Sequence, residues 1–199
     1  MMLDNIDRLS VQVTALDVVI EQAVAPFAHQ VAQLSEITAV GPTAAQELIA
    51  EVGVDMTRFA SDAHLVSWAK FCPQTHESAG KKKNKGRAKG SPWLAATLGN
   101  IAGTARRTDT FLGARHRRIA KRRGKQKATV ATGNATLVIV YHLLSDPALR
   151  FRDLGADHVD TRIDKQRKAR NLASQLQAVT GQKITIRDGK AVITEPEAA

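Results

Sequence analysis

Cysteine is nearly absent from this sequence: Cys72 is the one cysteine among 199 residues. A single cysteine excludes an internal disulfide and a zinc site built from several cysteines. The six histidines include no pair four residues apart, the spacing by which one helix face binds a metal. We therefore expect this chain to bind no metal by itself.

Several other signals are missing. No apolar run approaches the ~20 residues that span a bilayer. The first ten residues include Asp4 and Asp7 and do not resemble a signal peptide. Phosphate-loop and dinucleotide fingerprints are lacking, as are internal repeats. These absences predict a cytoplasmic protein without a membrane partner and without a nucleotide-binding motif.

Acidic residues are too few to balance the basic ones. Lys and Arg number 29 against 19 Asp and Glu, which gives a net charge of +10 and a pI near 10.1. So large an excess indicates a polyanionic partner, with nucleic acid favoured over an anionic membrane surface. The 43% hydrophobic content is enough for a core in one domain plus an appendage.

The N-terminal segment, residues 1–34, carries apolar residues at alternating steps of three and four: Ile6, Leu9, Val13, Leu16 and Ile20. This spacing predicts a helix with one apolar face. Pro26 ends it, and a short second helix follows. Two interpretations remain open: a helical hairpin that packs on its own domain, and a coiled coil that makes the chain a homo-oligomer.

Residues 34–53 resemble a helix-hairpin-helix motif, which binds DNA without sequence preference. In that motif a tight turn and a helix N-terminus offer backbone N–H groups to a phosphate, and Gly41 is the candidate contact here. Ala39 stands where a glycine usually opens the hairpin. A plain packing unit is the alternative.

Two basic segments are candidates for nucleic-acid contact, because cationic side chains bind phosphate oxygens. The first is a glycine-containing loop that follows Ser78, whose hydroxyl is of the type that can attack phosphorus. The second lies on a helix and its end. A solvated basic loop and a solvated helix face are the alternatives. The candidate residues are Lys81, Lys82, Lys83, Lys85, Arg87 and Lys89 in the loop, and Arg115, Arg117, Arg118, Lys121, Arg122, Arg123, Lys125 and Lys127 on the helix.

The remaining patterns predict a mainly α fold. Ser91-Pro92 predicts the start of a helix. Within this helix, Gly99 and Gly103 would allow a neighbouring helix to pack closely. Another helix is predicted to begin at Asp109. A long apolar helix ends before Pro147. Residues 160–178 predict a charged helix, and alternation around Asp188-Gly189 predicts a small C-terminal β-hairpin. We expect an N-terminal helical or coiled-coil segment (1–34), a domain with the hairpin motif and serine (35–150), and a C-terminal part (151–199).

Short motifs along nearly the whole chain resemble the C-terminal transposase domain of the "one-ten" insertion-sequence family (IS116/IS110/IS902 type). These DEDD transposases are bridge-RNA-guided serine recombinases. The resemblance rests on stretches that occur in order along the chain: residues 37–42, 67–69, 72–73, 77–81, 89–94, 107–115, 122–128 and 141–147.

The resemblance implies DNA transposition in a bacterial cytoplasm, with Ser78 as the nucleophile that forms a 5′-phosphoserine link to DNA. It implies a RuvC-like DEDD domain that brings Mg²⁺, and DNA, a guide RNA and a full-length transposase as partners. Lys81, Lys82 and Arg87 would offset the charge that grows on the phosphate.

Two departures from the family pattern matter. The chain contains no DEDD set, so we expect a fragment or split transposase whose own catalysis is inactive without that domain. Residues 132–134, Thr-Gly-Asn, are expected to interrupt a helix, since glycine there costs ~1 kcal/mol. A non-catalytic nucleic-acid-binding module and a regulatory partner of a full-length transposase are the alternative functions.

Overall fold

A computed structural model describes residues 2–72, 77–78, 81–82, 89–158, 165–187 and 190–194. These residues are mainly helical, which confirms the predicted fold class. The helices are α1 (Met2–Val24), α2 (Ala28–Ser35), α3 (Pro42–Val52), α4 (Asp62–Trp68), α5 (Pro92–Ala105), α6 (Phe111–Arg123), α7 (Lys125–Ser145) and α8 (Lys165–Thr180). Short 3-10 turns cover Ala25–Phe27 and Met56–Arg58, and the strands are β1 (Glu77–Ser78), β2 (Lys81–Lys82), β3 (Lys183–Arg187) and β4 (Lys190–Thr194).

The chain forms two compact units, Met1–Ala156 and Asp157–Ala199. The core of the first unit surrounds α7, which contacts α2, α4, α5 and α6. No Lys, Arg, Asp or Glu occurs between Ala128 and Ser145, so this helix can be buried without a charge to desolvate. Its side chains Leu137, Val140 and Leu143 are almost fully buried.

The Thr-Gly-Asn triplet does not interrupt α7, and the expectation that it would is wrong. The helix is continuous because each of the three residues makes a specific contact. Thr132 Oγ1 lies 3.1 Å from His116 Nδ1, and Asn134 Nδ2 donates to the carbonyl of Phe71 (3.1 Å). A Cβ on Gly133 would lie 2.6 Å from Phe71 Cε1, so glycine makes room for that buried ring.

A short turn joins α2 to α3 at the residues predicted to resemble the hairpin motif. Ile37 and Val40 are buried, and the N–H of Val40 donates to the carbonyl of Ile37 (2.9 Å). Ala39 has φ 71°, the left-handed conformation that glycine adopts at lower cost. Gly41 precedes α3 as its N-cap, and Pro42 is the first helical residue. The local geometry thus brings a tight turn to an open helix N-terminus.

The first unit continues past residue 150. The carboxylate of Glu36 accepts the N–H of Phe151 (3.0 Å), and that of Asp153 accepts the N–H of Phe111 (3.2 Å). This unit therefore includes residues up to Ala156. It also includes α2, which the sequence analysis grouped with residues 1–34 and whose Leu34 is fully buried in the core.

Helix α1 belongs to the first unit but is not buried against its core. The five side chains of its predicted apolar stripe remain exposed, and the exposed fraction ranges from 46% for Ile20 to 61% for Leu16. The interpretation as a hairpin that packs on its own domain is therefore wrong for this chain. The stripe is available to a partner.

Two helical stretches are long and apolar enough to cross a membrane by length and composition alone. One is Leu3–Ser35, and the other coincides with α7. In the most apolar 18-residue window of α7, 39% is buried inside the molecule. The corresponding window of Leu3–Ser35 is 0% buried.

The second unit contains α8 and two paired strands. β3 runs antiparallel to β4, and Ile184 lies opposite Ile193 in the register. The predicted reversal at Asp188-Gly189 and the predicted helix start at 160–164 lie outside the described residues.

Candidate nucleic-acid interface

The candidate nucleophile lies in a short antiparallel ladder. Ser78 in β1 is the register partner of Lys81 in β2, and Glu77 is the partner of Lys82. The backbone thus places a serine directly opposite a lysine. Three other candidates of this loop, Lys83, Lys85 and Arg87, lie outside the described residues, whereas Lys89 is described and exposed.

The two ends of this loop are anchored to the core. At the start, the Phe71 carbonyl is held by α7. At the end, a Cβ on Gly90 would lie 2.9 Å from the carbonyl oxygen of Ala69, so glycine permits the close return of the chain. Ser91 Oγ donates to Glu51 Oε2 (2.6 Å) and caps α5 by accepting the N–H of Leu94 (3.3 Å). Ser91 therefore has a structural role.

Helix α6 carries the first part of the second basic segment. It begins at Phe111 rather than at the predicted Asp109, because Thr110 is its N-cap and accepts the N–H of Gly113 (3.3 Å). Its last residue is Arg123. Gly124 follows as the C-cap, with a φ of 89° that glycine adopts at low cost. The candidate cations that this helix and the start of α7 expose are Arg118, Lys121, Arg122, Arg123, Lys125 and Lys127.

Arg117 belongs to the same helix but makes structural contacts. Its Nη1 donates to the carbonyls of Arg106 (3.1 Å) and Thr108 (2.7 Å), and its Nη2 lies 3.3 Å from Asp109 Oδ1. These carbonyls follow the end of α5, where backbone acceptors lack helical partners. Arg117 and Arg118 are both exposed, but Arg117 is held by these contacts, a difference that the sequence does not show.

Two further residues of α6 face inward. His116 is 4% exposed, and burial lowers its pKa, with the charges of Arg106 and Arg117 lowering it further. Its imidazole is therefore neutral near neutral pH and adds no charge to the surface. Arg115 is half-buried, and its Nε has no hydrogen-bond partner within the described part of the chain.

The electrostatic asymmetry of this region exceeds that of the whole chain. Residues 81–127 contain sixteen Lys and Arg but one acidic residue, Asp109, which is paired with Arg117. The last turn of α6 carries three cations, and the first turn of α7 contains no acidic residue and no side-chain cap. An open helix N-terminus beside clustered cations favours the binding of anions such as phosphates.

Metal-ligand side chains do not cluster in the described part of the chain. No group of three or more His, Cys, Asp or Glu among these residues is close enough together to hold a metal ion. The described part of the chain therefore does not fit a Mg²⁺ site of the DEDD type.

Comparison with known proteins agrees with the motifs. The family model described as transposase IS116/IS110/IS902 matches residues 31–118. Residues 31–118 are therefore similar to a transposase domain of this family. The match covers the α2–α3 turn, the loop with Ser78 and most of α6, and it confirms the resemblance inferred from the sequence. No curated protein and no solved structure matches the chain.

Proposed function

We propose that this transposase domain acts in DNA transposition by binding DNA on its basic surface and attacking a phosphodiester with Ser78. The observation that carries the proposal is the ladder in which Ser78 lies opposite Lys81. Lys81 is the first residue of the cationic stretch 81–127. In this reaction the serine hydroxyl gives up its proton and its oxygen forms a new bond to phosphorus, while the bond between phosphorus and the 3′ oxygen breaks. The 3′ oxygen of the cut strand leaves and takes up a proton, so the 5′ phosphate stays on the serine.

The basic residues have two roles in this proposal. Lys81, the register partner of Ser78 in the ladder, offsets the charge that grows on the phosphate. The exposed cations of α6 and α7 bind the DNA backbone and fix its position without reading sequence. The turn before α3, with Gly41 at an uncapped helix N-terminus, adds a backbone contact of the helix-hairpin-helix kind.

The family resemblance supports further partners. A RuvC-like DEDD domain would bring Mg²⁺, which stabilises developing negative charge when bound, and a guide RNA would direct the complex. Because the described residues do not form such a metal site, we assign to this chain only the serine and the cationic surface. A non-catalytic binding module and a regulatory partner of a full-length transposase are the competing functions. Both retain DNA binding without the use of Ser78.

The exposed stripe of α1 supports homo-oligomerisation as part of the same function. Apolar side chains at heptad-like spacing are typical of coiled coils. In this chain they are not covered by the core of the first unit. We assign them to contact with a second copy.

The proposed surface is tested by the salt dependence of duplex DNA binding. For phosphate contacts, the log of affinity falls linearly with the log of salt concentration, with a slope of about −0.9 per contact. The triple variant Arg118→Ala, Arg122→Ala and Lys125→Ala removes three exposed cations of the α6–α7 surface. We expect it to weaken binding and to reduce the slope by about 0.9 for each phosphate that it no longer neutralises.

A matched control removes the same net charge elsewhere: Arg8→Ala, Arg58→Ala and Arg152→Ala, all exposed in the first unit. This variant should keep the slope of the parent protein, because its cations lie outside the proposed surface. Equal slopes for the two triple variants would show that net charge alone drives binding and would contradict the proposed interface.

A further inference from the structure

One of the two tryptophans of this chain is mostly in water. Trp93, near the start of α5, is 74% exposed. Trp68 is 45% exposed and packs edge-on against Phe59, with ring centroids 5.5 Å apart. Among the described residues, no aromatic ring packs against Trp93 in that way. Since core packing does not require its indole, a binding role explains the residue better than stability does.

The backbone beneath Trp93 is held rigidly. Pro92 fixes the first turn of α5, and Ser91 caps it while donating to Glu51 of α3 (2.6 Å). One turn further, Thr97 Oγ1 donates to Glu47 of the same helix α3 (2.6 Å). Two hydroxyl–carboxylate bonds thus fix the start of α5 against α3. Because the backbone that carries Trp93 is already ordered, a ligand that binds the ring does not have to order it.

The charged residues that precede Trp93 in the chain indicate the kind of ligand. Lys89, four residues earlier, is exposed, and the same loop contains the ladder with Lys81 and Lys82. The two nearby carboxylates of α3 are already engaged by hydroxyl groups. A purely apolar partner would cover the indole but leave the cations without counter-charges. A nucleotide offers a flat base for the ring and a phosphate for the cations.

We propose that Trp93 is a stacking platform for an unpaired base of a nucleic-acid strand whose phosphate contacts Lys89. This inference rests on the proposed function, since it assigns Trp93 to a protein that we propose to bind nucleic acid. Aromatic side chains stack on unpaired bases of any sequence. In a duplex the bases are already stacked on each other, so an exposed indole on the protein surface has no free base face to cover.

The test uses the full chain with Trp68→Phe, in which Trp93 is the only indole. Its fluorescence is followed during titration with a single-stranded DNA oligonucleotide, an RNA oligonucleotide of the same sequence, and the DNA duplex. We expect quenching by at least one single strand and little by the duplex. Quenching by one type of strand alone identifies whether DNA or RNA supplies the base.

Affinity gives a second measurement. Trp93→Ala should weaken binding of the quenching strand by about 5- to 150-fold, the range that one stacked base implies. Duplex binding should change by less than about 2-fold, and Trp93→Phe should restore most of the affinity. Trp93→Phe also leaves Trp68 as the single reporter, whose fluorescence should not respond.

Two outcomes overturn the inference. One is unchanged Trp93 fluorescence at saturating single strand, and the other is an equal fall in single-strand and duplex affinity in Trp93→Ala. Either result leaves the proposed DNA surface standing if the salt slope still depends on the α6–α7 cations. If that slope fails while Trp93 is quenched, the stacking site stands and the proposed surface does not.

Discussion

Gly133 lies inside α7, a place where glycine is normally unfavourable by about 1 kcal/mol relative to alanine. In this helix a methyl group would meet the buried Phe71 ring at 2.6 Å. Overpacking of a core typically costs about 1–3 kcal/mol, which exceeds the gain in helix propensity. We therefore expect Gly133→Ala to lower the free energy of unfolding by up to about 2 kcal/mol in urea denaturation.

Gly99→Ala is the matched control, because Gly99 also lies inside a helix but has no described neighbour within 4 Å of the added Cβ. This substitution should raise the free energy of unfolding by up to about 1 kcal/mol. The open space at Gly99, and likewise at Gly103, shows that the prediction of close helix packing there is wrong within the described part of the chain. If both alanine variants were more stable than the parent, Phe71 would not be the reason for Gly133.

Gly133 and Gly99 show which effects of a single residue cannot be predicted from the sequence. Both stand out in the sequence as glycines in helical patterns, and the pattern alone predicts the same cost for each. The difference comes from Phe71, which is more than 60 residues from Gly133 in the chain and meets it only after the helices pack. Likewise the sequence groups Arg117 with Arg118. Their roles differ because the carbonyls after α5 lie within reach of one and not of the other.

Helix α1 is the element whose behaviour depends most on a partner. Its stripe includes Leu9 and Leu16, which are 55% and 61% exposed. We expect the protein to self-associate in a concentration-dependent way in sedimentation equilibrium. Leu9→Glu with Leu16→Glu should weaken this association at least about 10-fold, because each substitution places a charge where an apolar contact forms.

Val11 and Val18 provide the control for α1. They are 70% and 48% exposed, and the helical period places them on the opposite face from the stripe. The double substitution Val11→Glu and Val18→Glu should leave association close to that of the parent. A monomer at all concentrations, or an equal effect of the two pairs, would show that the stripe is not an oligomer interface.

The elements themselves could mostly be predicted, because caps and apolar periods are local signals. Pro26, Ser91-Pro92 and the apolar run of α7 each indicate a boundary or a core helix that the structure contains. The packing partner of α1 could not be predicted, since a stripe of five apolar residues does not specify which surface covers it. The inward turn of His116 within a basic run was also missed. The hydroxyl of Thr132 that it faces comes from the next helix.

The molecule as a whole is proposed to supply a serine and a cationic surface to a larger assembly. The 199-residue chain alone should bind DNA without cutting it. With a RuvC-like DEDD domain and a guide RNA from a related transposase, it should form a covalent protein–DNA adduct on a denaturing gel. Ser78→Ala should abolish this adduct while leaving DNA affinity nearly unchanged, since one hydroxyl contributes little to binding through phosphates.

Ser91→Ala controls for the removal of a serine at the other end of the same loop. It should keep the adduct but lower the free energy of unfolding by about 1 kcal/mol, because α5 is then without its cap. An adduct that persists in Ser78→Ala would remove Ser78 as the nucleophile. An adduct that forms without the DEDD domain would show that this chain carries a complete active site.

The anchoring of the serine loop has a consequence for how such proteins diversify. The chain leaves the core at Phe71 and returns at Gly90, where it packs against Ala69, so the core closes on its own contacts. The entropic cost of closing a loop grows only slowly with its length. A change in the number of residues between these anchors therefore adds little to the entropic cost of folding. Related chains can therefore differ in the length of the segment that carries Ser78 while they keep the same helical scaffold.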